Sequence, residues 1–213
     1  MRTLSIETRT HGRVLVRDVA QPAAVVIGFH GYTENADIQM ERLLRLPAAD
    51  RWTLVSVQGL HRFYRGTSEQ VIASWMTRQD RELMIGDNIE YADRVIAALP
   101  EVPTITIGFS QGVAMAFRSA VRGRRRANGV IAVGGDIPPE LLADAASVFP
   151  PALMLRGRSD EWYTAAKLEA DVAALEVRGV SVEATTYDGG HEWTDAVSLV
   201  SAAFIAGLQS AAG

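Results

Sequence analysis

The sequence contains no cysteine, no long apolar run and no excess of basic residues, and each absence removes a class of function. Without cysteine there are no disulfides, thiolate metal sites or cysteine nucleophiles, so covalent catalysis would need another residue. No apolar stretch is long enough to span a bilayer, and residues 1–18 lack the unbroken apolar core of a signal peptide. A net charge of -4 disfavours nucleic acid as a partner. We therefore expect a cytoplasmic protein without a membrane span.

Two further classes of enzyme lack their sequence signatures. The four histidines include no pair at the H-x-x-x-H spacing that binds zinc in many metallohydrolases. No G-x-G-x-x-G segment follows the early predicted strands, as a dinucleotide-binding enzyme would require. The sequence therefore predicts no metal and no cofactor.

The composition is that of a globular protein, with 48% hydrophobic and 22% charged residues. The length predicts one domain spanning residues 1–213. Apolar runs alternate with segments of helical spacing, which predicts an α/β fold with a mostly parallel central sheet and helices on both faces. The predicted strands are 25–29, 53–57, 104–109, 130–133, 152–155 and 180–187, and the predicted helices are 38–46, 87–99, 111–121, 139–146, 164–177 and 194–208. A hairpin of residues 4–6 with 14–16, turning at His11 and Gly12, is expected at one edge.

The segment Gly108-Phe109-Ser110-Gln111-Gly112 lies where a predicted strand gives way to a predicted helix. This context is typical of the G-x-S-x-G elbow, in which a sharp turn exposes a reactive serine at the edge of the sheet. Glycine is needed on both sides, because side chains at these two positions would collide with neighbouring backbone. The motif predicts Ser110 as a nucleophile.

A serine hydroxyl needs a base to accept its proton, and histidine is the side chain whose ordinary pKa suits that role near neutrality. Among the four histidines, His191 follows the last predicted strand. The chain order of nucleophile, acid and histidine in such folds then requires an acid on a strand-end loop between Ser110 and His191. Asp160 is the favoured candidate, and Asp136, one strand earlier, is the alternative.

An oxyanion site requires two backbone amides close to the nucleophile. The N–H of Gln111 follows the serine directly, and the loop after residues 25–29 supplies the second N–H in related folds. Gly31 allows close approach in that loop, so we assign the amides of Tyr32 and Gln111 to the oxyanion. His30 is interpreted as a structural residue of the same loop.

Four segments together resemble the phospholipase/carboxylesterase family of α/β-hydrolases, which includes acyl-protein thioesterases. They are Phe29-His30-Gly31-Tyr32, Gly108-Phe109-Ser110-Gln111-Gly112, Gly157 with Asp160, and Gly190-His191-Glu192. The resemblance spans nearly the whole chain. It implies an α/β-hydrolase fold with a minimal cap and the hydrolysis of esters or thioesters without a cofactor.

In related enzymes, residues that line the acyl-binding mouth lie in the segments that correspond to residues 59–64 and 73–78. This resemblance implies that Trp75 and Met76 bind substrate, and the alternative is ordinary packing beneath a long connection. Trp162 and Trp193 lie beside the predicted acid and base, where they would shield the triad from water or anchor their loops.

The function predicted from these observations is that of a carboxylesterase, which cleaves a small-molecule ester or thioester through an acyl-enzyme. Two alternatives remain at this point. One is a ligand-binding protein that has the same fold without the chemistry, and the other is a peptidase with the same triad. The protein is expected to be a monomer or a homodimer.

Overall fold

A central sheet of seven strands organises the protein, and the computed structural model describes residues 1–211 of the chain. The strands are β1 Val14–Arg17, β2 Ala24–Phe29, β3 Trp52–Val57, β4 His61–Tyr64, β5 Val71–Ser74, β6 Thr104–Phe109, β7 Gly129–Val133, β8 Ala152–Gly157 and β9 Val182–Tyr187. The α-helices are α1 Ala36–Leu44, α2 Arg81–Ala97, α3 Gln111–Arg122, α4 Pro139–Ala143, α5 Ala165–Glu176 and α6 Asp195–Ala211, and Ala49–Arg51 form a 3₁₀ turn.

The strand order in the sheet is β1-β3-β2-β6-β7-β8-β9, with β1 antiparallel to β3 and every other pair parallel. This confirms the predicted mostly parallel sheet. Parallel neighbours end at the same edge, so the loops after β2, β6, β7, β8 and β9 meet there. Those loops carry the predicted catalytic residues.

The sheet separates two hydrophobic cores, because successive side chains of a strand point to opposite faces. In β2, Val25 and Ile27 pack on the face covered by α2, α3, α4 and α5. Val26 packs on the other face, against α1 and α6. All six residues of β2 are buried, as expected for a strand covered on both sides. The prediction of helices on both faces is thus confirmed.

The predicted N-terminal hairpin is wrong. No strand lies within residues 1–13, and β1 pairs with β3 instead, where Val14 faces Val57. Gly12, which predicted the turn, has a different role: a Cβ there would overlap the ring of Tyr91 on α2. The Tyr91 hydroxyl donates to the carbonyl of Arg13, so a close helix contact explains this glycine.

A second, two-stranded sheet was not predicted. Strands β4 and β5 pair in antiparallel register, with His61 opposite Ser74, in a segment that carried no strand signal because all of β4 is exposed. The hairpin is attached to the loop after β2, since Thr33 N donates to Ala73 O at 3.1 Å and Ala73 N donates to Glu34 O at 2.7 Å. It therefore lies beside the predicted oxyanion loop.

Several helix boundaries also differ from the prediction, by up to six residues at the start of α2. Helix α2 begins at Arg81 rather than at residue 87, and α4 ends at Ala143 rather than at residue 146. The start of α2 carries no capping signal, since Asp80 makes no side-chain cap. None of the helices within residues 1–211 combines the length and the apolar character needed to cross a membrane.

Candidate active site

The predicted elbow forms between β6 and α3. Ser110 has φ 52° and ψ −119°, a left-handed conformation that a non-glycine residue adopts only under strain. A Cβ at Gly108 would collide with the backbone of Gly112, and a Cβ at Gly112 would collide with the carbonyl oxygen of Phe29. The predicted need for both glycines is confirmed. The Ser110 N–H donates to Val133 O at 2.9 Å, which anchors the turn to β7.

Ser110, His191 and Asp160 form one hydrogen-bonded chain. His191 Nε2 lies 2.8 Å from Ser110 Oγ, and His191 Nδ1 lies 2.8 Å from Asp160 Oδ2. A carboxylate accepts only, so Nδ1 carries the proton and Nε2 is free to accept the serine hydroxyl. The three residues come from the loops after β6, β8 and β9. In this tautomer the imidazole can take the proton of Ser110.

The carboxylate of Asp160 is buried and held on both oxygens. Its Oδ1 accepts the N–H groups of Trp162 and Tyr163, each at 2.9 Å, which leaves Oδ2 for His191. Gly134, at φ +64°, packs against this pair, and a Cβ there would lie 3.2 to 3.3 Å from Asp160 Oδ2 and the His191 ring. A larger residue would crowd the acid and the base.

The alternative acid, Asp136, is placed differently. It lies on the loop after β7 and accepts from Lys167 Nζ at 3.1 Å, with about half of its side chain exposed. Within residues 1–211 it makes no hydrogen bond to His191. The geometry therefore favours Asp160 over Asp136 as the partner of the histidine.

The loop after β2 is held by a largely buried ion pair. Arg42 binds Glu34 through two hydrogen bonds of 2.6 and 2.7 Å, and Glu34 Oε2 accepts the N–H of Gly31 at 2.7 Å. The His30 ring donates from Nδ1 to Gly31 O at 2.7 Å and accepts the N–H of Gly59 at Nε2, 2.9 Å away. Burial lowers the pKa of His30, so its ring is neutral, as these two bonds require. The structural role expected for His30 agrees with these contacts.

The amides of Tyr32 and Gln111 belong to two segments that lie against each other, the loop after β2 and the start of α3. Gly112 brings the start of α3 against the carbonyl groups of Phe29 and His30, and Tyr32 follows two residues later. Across the described chain, neither the Tyr32 N–H nor the Gln111 N–H has a protein acceptor. Both residues line the same cavity as Ser110. They are available to bind a ligand oxygen.

Trp75 does not have the position expected of a substrate-binding residue. Its side chain is completely buried, its Nε1 donates to His30 O at 2.8 Å, and its ring packs against Phe29. The alternative interpretation, packing beneath the connection, therefore describes Trp75. Met76 packs on the edge of the same core, and neither side chain is among those that line the cavity at Ser110.

The side chain of Gln111 holds the backbone of Trp75 and Met76 in place. Its Oε1 accepts the N–H of Trp75 at 3.0 Å, and its Nε2 donates to Met76 O at 3.0 Å. The residue whose backbone amide lies beside Ser110 thus fixes the segment after β5. This is a positioning contact that the motif alone did not indicate.

The two tryptophans beside the triad have different environments. Trp193 is buried, and its Nε1 donates to Ser198 Oγ at 2.9 Å, which anchors the loop after β9 to α6. Trp162 is 76% exposed and lines the cavity. Trp193 therefore anchors its loop, whereas Trp162 contributes an exposed apolar surface to the cavity that contains Ser110 and His191.

The cavity at Ser110 has a volume of about 590 Å³ and includes residues that the sequence interpretation missed. Gly134 and Gly135 bring the loop after β7 against the elbow, and a Gly-Gly pair directly after a predicted strand was the available signal. Arg118 also lines the cavity, as do Arg81 and Lys167. A single arginine within the otherwise apolar stretch of α3 was the signal for Arg118.

A second buried acid supports the Asp160 loop. Asp171 on α5 accepts the Tyr163 hydroxyl at 2.9 Å and the Ile137 N–H at 3.3 Å, so it joins the loops after β7 and β8. Because Tyr163 N also donates to Asp160, the contact reaches the carboxylate that binds His191. Burial raises the pKa of Asp171 from 3.8 to about 6, which its hydrogen bonds only partly oppose.

This raised pKa predicts a pH-dependent effect of Asp171→Asn. The folded state favours the protonated acid, so the contribution of Asp171 is present below its ordinary pKa of 3.8 and is lost as the pH rises through about 6. The loss corresponds to about 3 kcal/mol of unfolding free energy. Asparagine does not titrate, so the free energy of unfolding of the variant, relative to wild type, should increase by up to that amount between pH 4 and pH 7.5.

Urea unfolding at several pH values measures this difference. Asp87→Asn, which replaces an exposed carboxylate on α2, is the matched control and should show little change in its difference from wild type. A constant difference between Asp171→Asn and wild type across this range would contradict the prediction.

The described residues contain no group of three or more histidine, cysteine or acidic side chains placed to hold a metal ion. The profile of a protein family described as phospholipase/carboxylesterase matches residues 12–203. A comparison with curated proteins finds no match.

Several solved structures share the fold. Esterase PE8 has a TM-score of 0.69 and 23% identity, with coverage of 92% of this chain and 98% of its own. Acyl-protein thioesterase 2 from Zea mays has a TM-score of 0.73 and 17% identity, covering 93% and 100%. The Bacillus cereus carboxylesterase has a TM-score of 0.69 and 15% identity, covering 92% and 94%. These likenesses confirm the predicted α/β-hydrolase fold.

Proposed function

Because the chain belongs to the phospholipase/carboxylesterase family of hydrolases, we propose that it cleaves carboxylic ester or thioester bonds with Ser110 as nucleophile, His191 as base and Asp160 as the acid of the triad. The observation that carries this proposal is the hydrogen-bonded chain, with 2.8 Å from Ser110 Oγ to His191 Nε2 and 2.8 Å from His191 Nδ1 to Asp160 Oδ2. A nucleophile, a base and an orienting acid in this order are the requirements of acyl transfer.

In the first half-reaction, Ser110 Oγ attacks the substrate carbonyl carbon while His191 Nε2 accepts the hydroxyl proton. The tetrahedral intermediate collapses when the bond to the leaving alcohol or thiol breaks and His191 returns the proton to that group. In the second, His191 takes a proton from water, the hydroxide attacks the acyl-enzyme, and the carboxylic acid leaves as Ser110 regains its proton. Asp160 stabilises the imidazolium in both steps.

The N–H groups of Tyr32 and Gln111 would bind the oxyanion of each tetrahedral intermediate. Each donor is worth about 3 kcal/mol in comparable sites. Gln111 is also the first residue of α3, so the positive end of the helix dipole faces the developing charge. The ion pair of Glu34 and Arg42 holds the other donor loop through Gly31. The cytoplasmic location expected from the sequence and a small-molecule substrate belong to this proposal.

Hydrolysis of p-nitrophenyl acetate and p-nitrophenyl butyrate by the purified protein tests the proposal. Both esters carry the activated p-nitrophenolate leaving group and a short acyl chain, so release of p-nitrophenol above the spontaneous rate is the expected result. A parallel assay with an acyl thioester tests the second bond type. A folded protein that turns over none of these substrates would contradict the proposed function and would favour a ligand-binding role.

A further inference from the structure

Three cationic side chains line the cavity that contains Ser110. They are Arg81, Arg118 and Lys167, and Asp136 is the one acidic side chain among the lining residues. Lys167 and Asp136 form an ion pair with each other, at 3.1 Å, so their charges cancel. The charge that faces the substrate therefore depends on the two arginines.

Arg118 lies on the side of α3 that faces the cavity, in line with the residue that follows Ser110. Gln111, Ala114 and Arg118 follow at spacings of three and four residues, which places them in a row along one side of the helix, and all three line the cavity. Eight residues of helix span about 12 Å, and a long side chain on a helix leans toward its N-terminus. The Arg118 guanidinium lies 3.5 Å from Met76 Sδ, and the carbonyl of Met76 accepts from the side chain of Gln111, the residue after Ser110.

The two arginines share one carboxylate. Arg118 binds Glu140 Oε1 through Nε at 2.7 Å and Nη2 at 2.6 Å, and Arg81 Nη2 binds Glu140 Oε2 at 3.3 Å. Arg81 also contacts Glu82, but that carboxylate is 80% exposed, so its charge is screened by solvent. The two arginines therefore share one largely buried carboxylate, and the second carboxylate that pairs with Arg81 lies in solvent.

Arg118 is incompletely paired for a buried cation. Its side chain is 1% exposed, and its remaining nitrogen, Nη1, lies 3.5 Å from Met76 Sδ, a weak acceptor. Burial lowers the pKa of Arg118, which reflects the cost of a charge in this place. A buried charge is ordinarily paired and fully hydrogen-bonded. An anion in the cavity would balance the charge of the two arginines more fully than the weak acceptor Met76 and the shared carboxylate of Glu140 do.

We propose that the preferred substrate carries a carboxylate, in its acyl or its alcohol part, that binds at the wall formed by Arg81 and Arg118. Arg81 is about one-third exposed and makes the direct contact, whereas the buried Arg118 provides the field in a site of low dielectric. The inference rests on the proposed function, since the substrate is an ester or thioester. It adds the class, a half-ester of a dicarboxylic acid or an ester of a hydroxy acid.

Two pairs of substrates test the proposal on the whole protein. For the acyl part, mono-4-nitrophenyl adipate is compared with the methyl ester of the same compound. For the alcohol part, 4-acetoxybenzoate is compared with its methyl ester. The members of each pair differ in the charged group, and those of the second pair also differ in the acidity of the phenol that leaves. Each kcat/KM is therefore divided by the rate constant for spontaneous hydrolysis of the same ester, so that the ratio of the corrected values reports recognition of the carboxylate. We expect at least one pair to favour the anion about tenfold or more at low salt, with the ratio declining as ionic strength rises.

Arg81→Gln should lower that ratio about tenfold, which corresponds to the loss of one charged contact. Arg94→Gln, which removes an exposed arginine elsewhere on α2, is the matched control and should keep the ratio and the basal rate of wild type. Glu140→Gln should raise the ratio, because it removes the carboxylate that competes with the substrate for the arginines. If Glu140→Gln unfolds the protein, Arg81→Gln alone decides the result.

Each outcome has a distinct meaning. Equal corrected kcat/KM values for charged and neutral members of both pairs, with the neutral esters hydrolysed, would overturn this inference and leave the proposed function intact. A preference for the anion that Arg81→Gln does not reduce would overturn the assignment to this wall. Absence of turnover for all four esters would contradict the proposed function itself and the inference that rests on it.

Discussion

Replacing Ser110 with alanine is expected to lower kcat/KM for an ester by at least about 10⁴-fold, because the variant lacks the atom that forms the acyl-enzyme. The residual rate would come from the oxyanion donors and from binding alone. Alanine carries the same Cβ as serine, so the strained turn at φ 52° is kept and the fold should be unaffected. Steady-state kinetics on p-nitrophenyl butyrate measure the effect.

Ser210→Ala is the matched control for this substitution. Ser210 is an exposed serine near the end of α6, where its hydroxyl donates to the carbonyl of Ala206, remote from the elbow. We expect wild-type kinetics from this variant. A Ser110→Ala variant that retained the wild-type rate would show that another group attacks the ester.

Asp160→Asn is expected to lower kcat by about 10⁴-fold while the structure of the loop is retained. The asparagine carbonyl can still accept the N–H groups of Trp162 and Tyr163, which turns its NH₂ group toward His191 Nδ1. The donor then forces the proton onto Nε2, the nitrogen that must accept the proton of Ser110. The substitution therefore removes the base by selecting the wrong tautomer.

Asp136→Asn tests whether activity depends on Asp160 specifically or on any carboxylate in the cavity. It removes a carboxylate of the same cavity that binds Lys167 rather than the histidine. We expect this variant to keep at least about a tenth of the wild-type kcat. A larger loss in Asp136→Asn than in Asp160→Asn, with both proteins folded, would reverse the assignment of the acid.

The sequence was most informative where a local pattern has one physical solution. The strand, glycine, serine, glycine and helix around Ser110 can be joined only by a strained turn, so the elbow and its two close contacts could be predicted. Chain order and strand-end positions then predicted that His191 and Asp160 would lie near it, as the structure places them. Continuous apolar runs predicted the strands buried on both faces.

The sequence failed where a long-range contact outweighed the local pattern. Gly12 indicated a hairpin turn, but it is needed because Tyr91 packs against it from α2, and β1 pairs with β3. Trp75 indicated a binding surface because its segment is irregular, yet its ring fills the core beneath the oxyanion loop. Neither contact could be predicted from the spacing of residues in the sequence.

The cluster of Arg81, Arg118 and Glu140 was missed for the same reason, since it depends on contacts between helices that are distant in sequence. Arg118 lies on α3, its partner Glu140 comes from α4, and Arg81, which shares that carboxylate, comes from the start of α2. The pairing of two guanidinium groups with Glu140 depends on how these three helices meet. A charge at such a position signals a site only when its partners are known.

Labelling with a fluorophosphonate tests the central claim most directly, because this reagent phosphonylates a serine only where a base has activated its hydroxyl. Wild-type protein and Ser110→Ala are treated in parallel, digested, and the adduct is located by mass spectrometry. The account predicts a single adduct on the peptide that contains Ser110, absent from the variant and greatly slowed in Asp160→Asn. An adduct on a different residue, or equal labelling of Ser110→Ala, would contradict it.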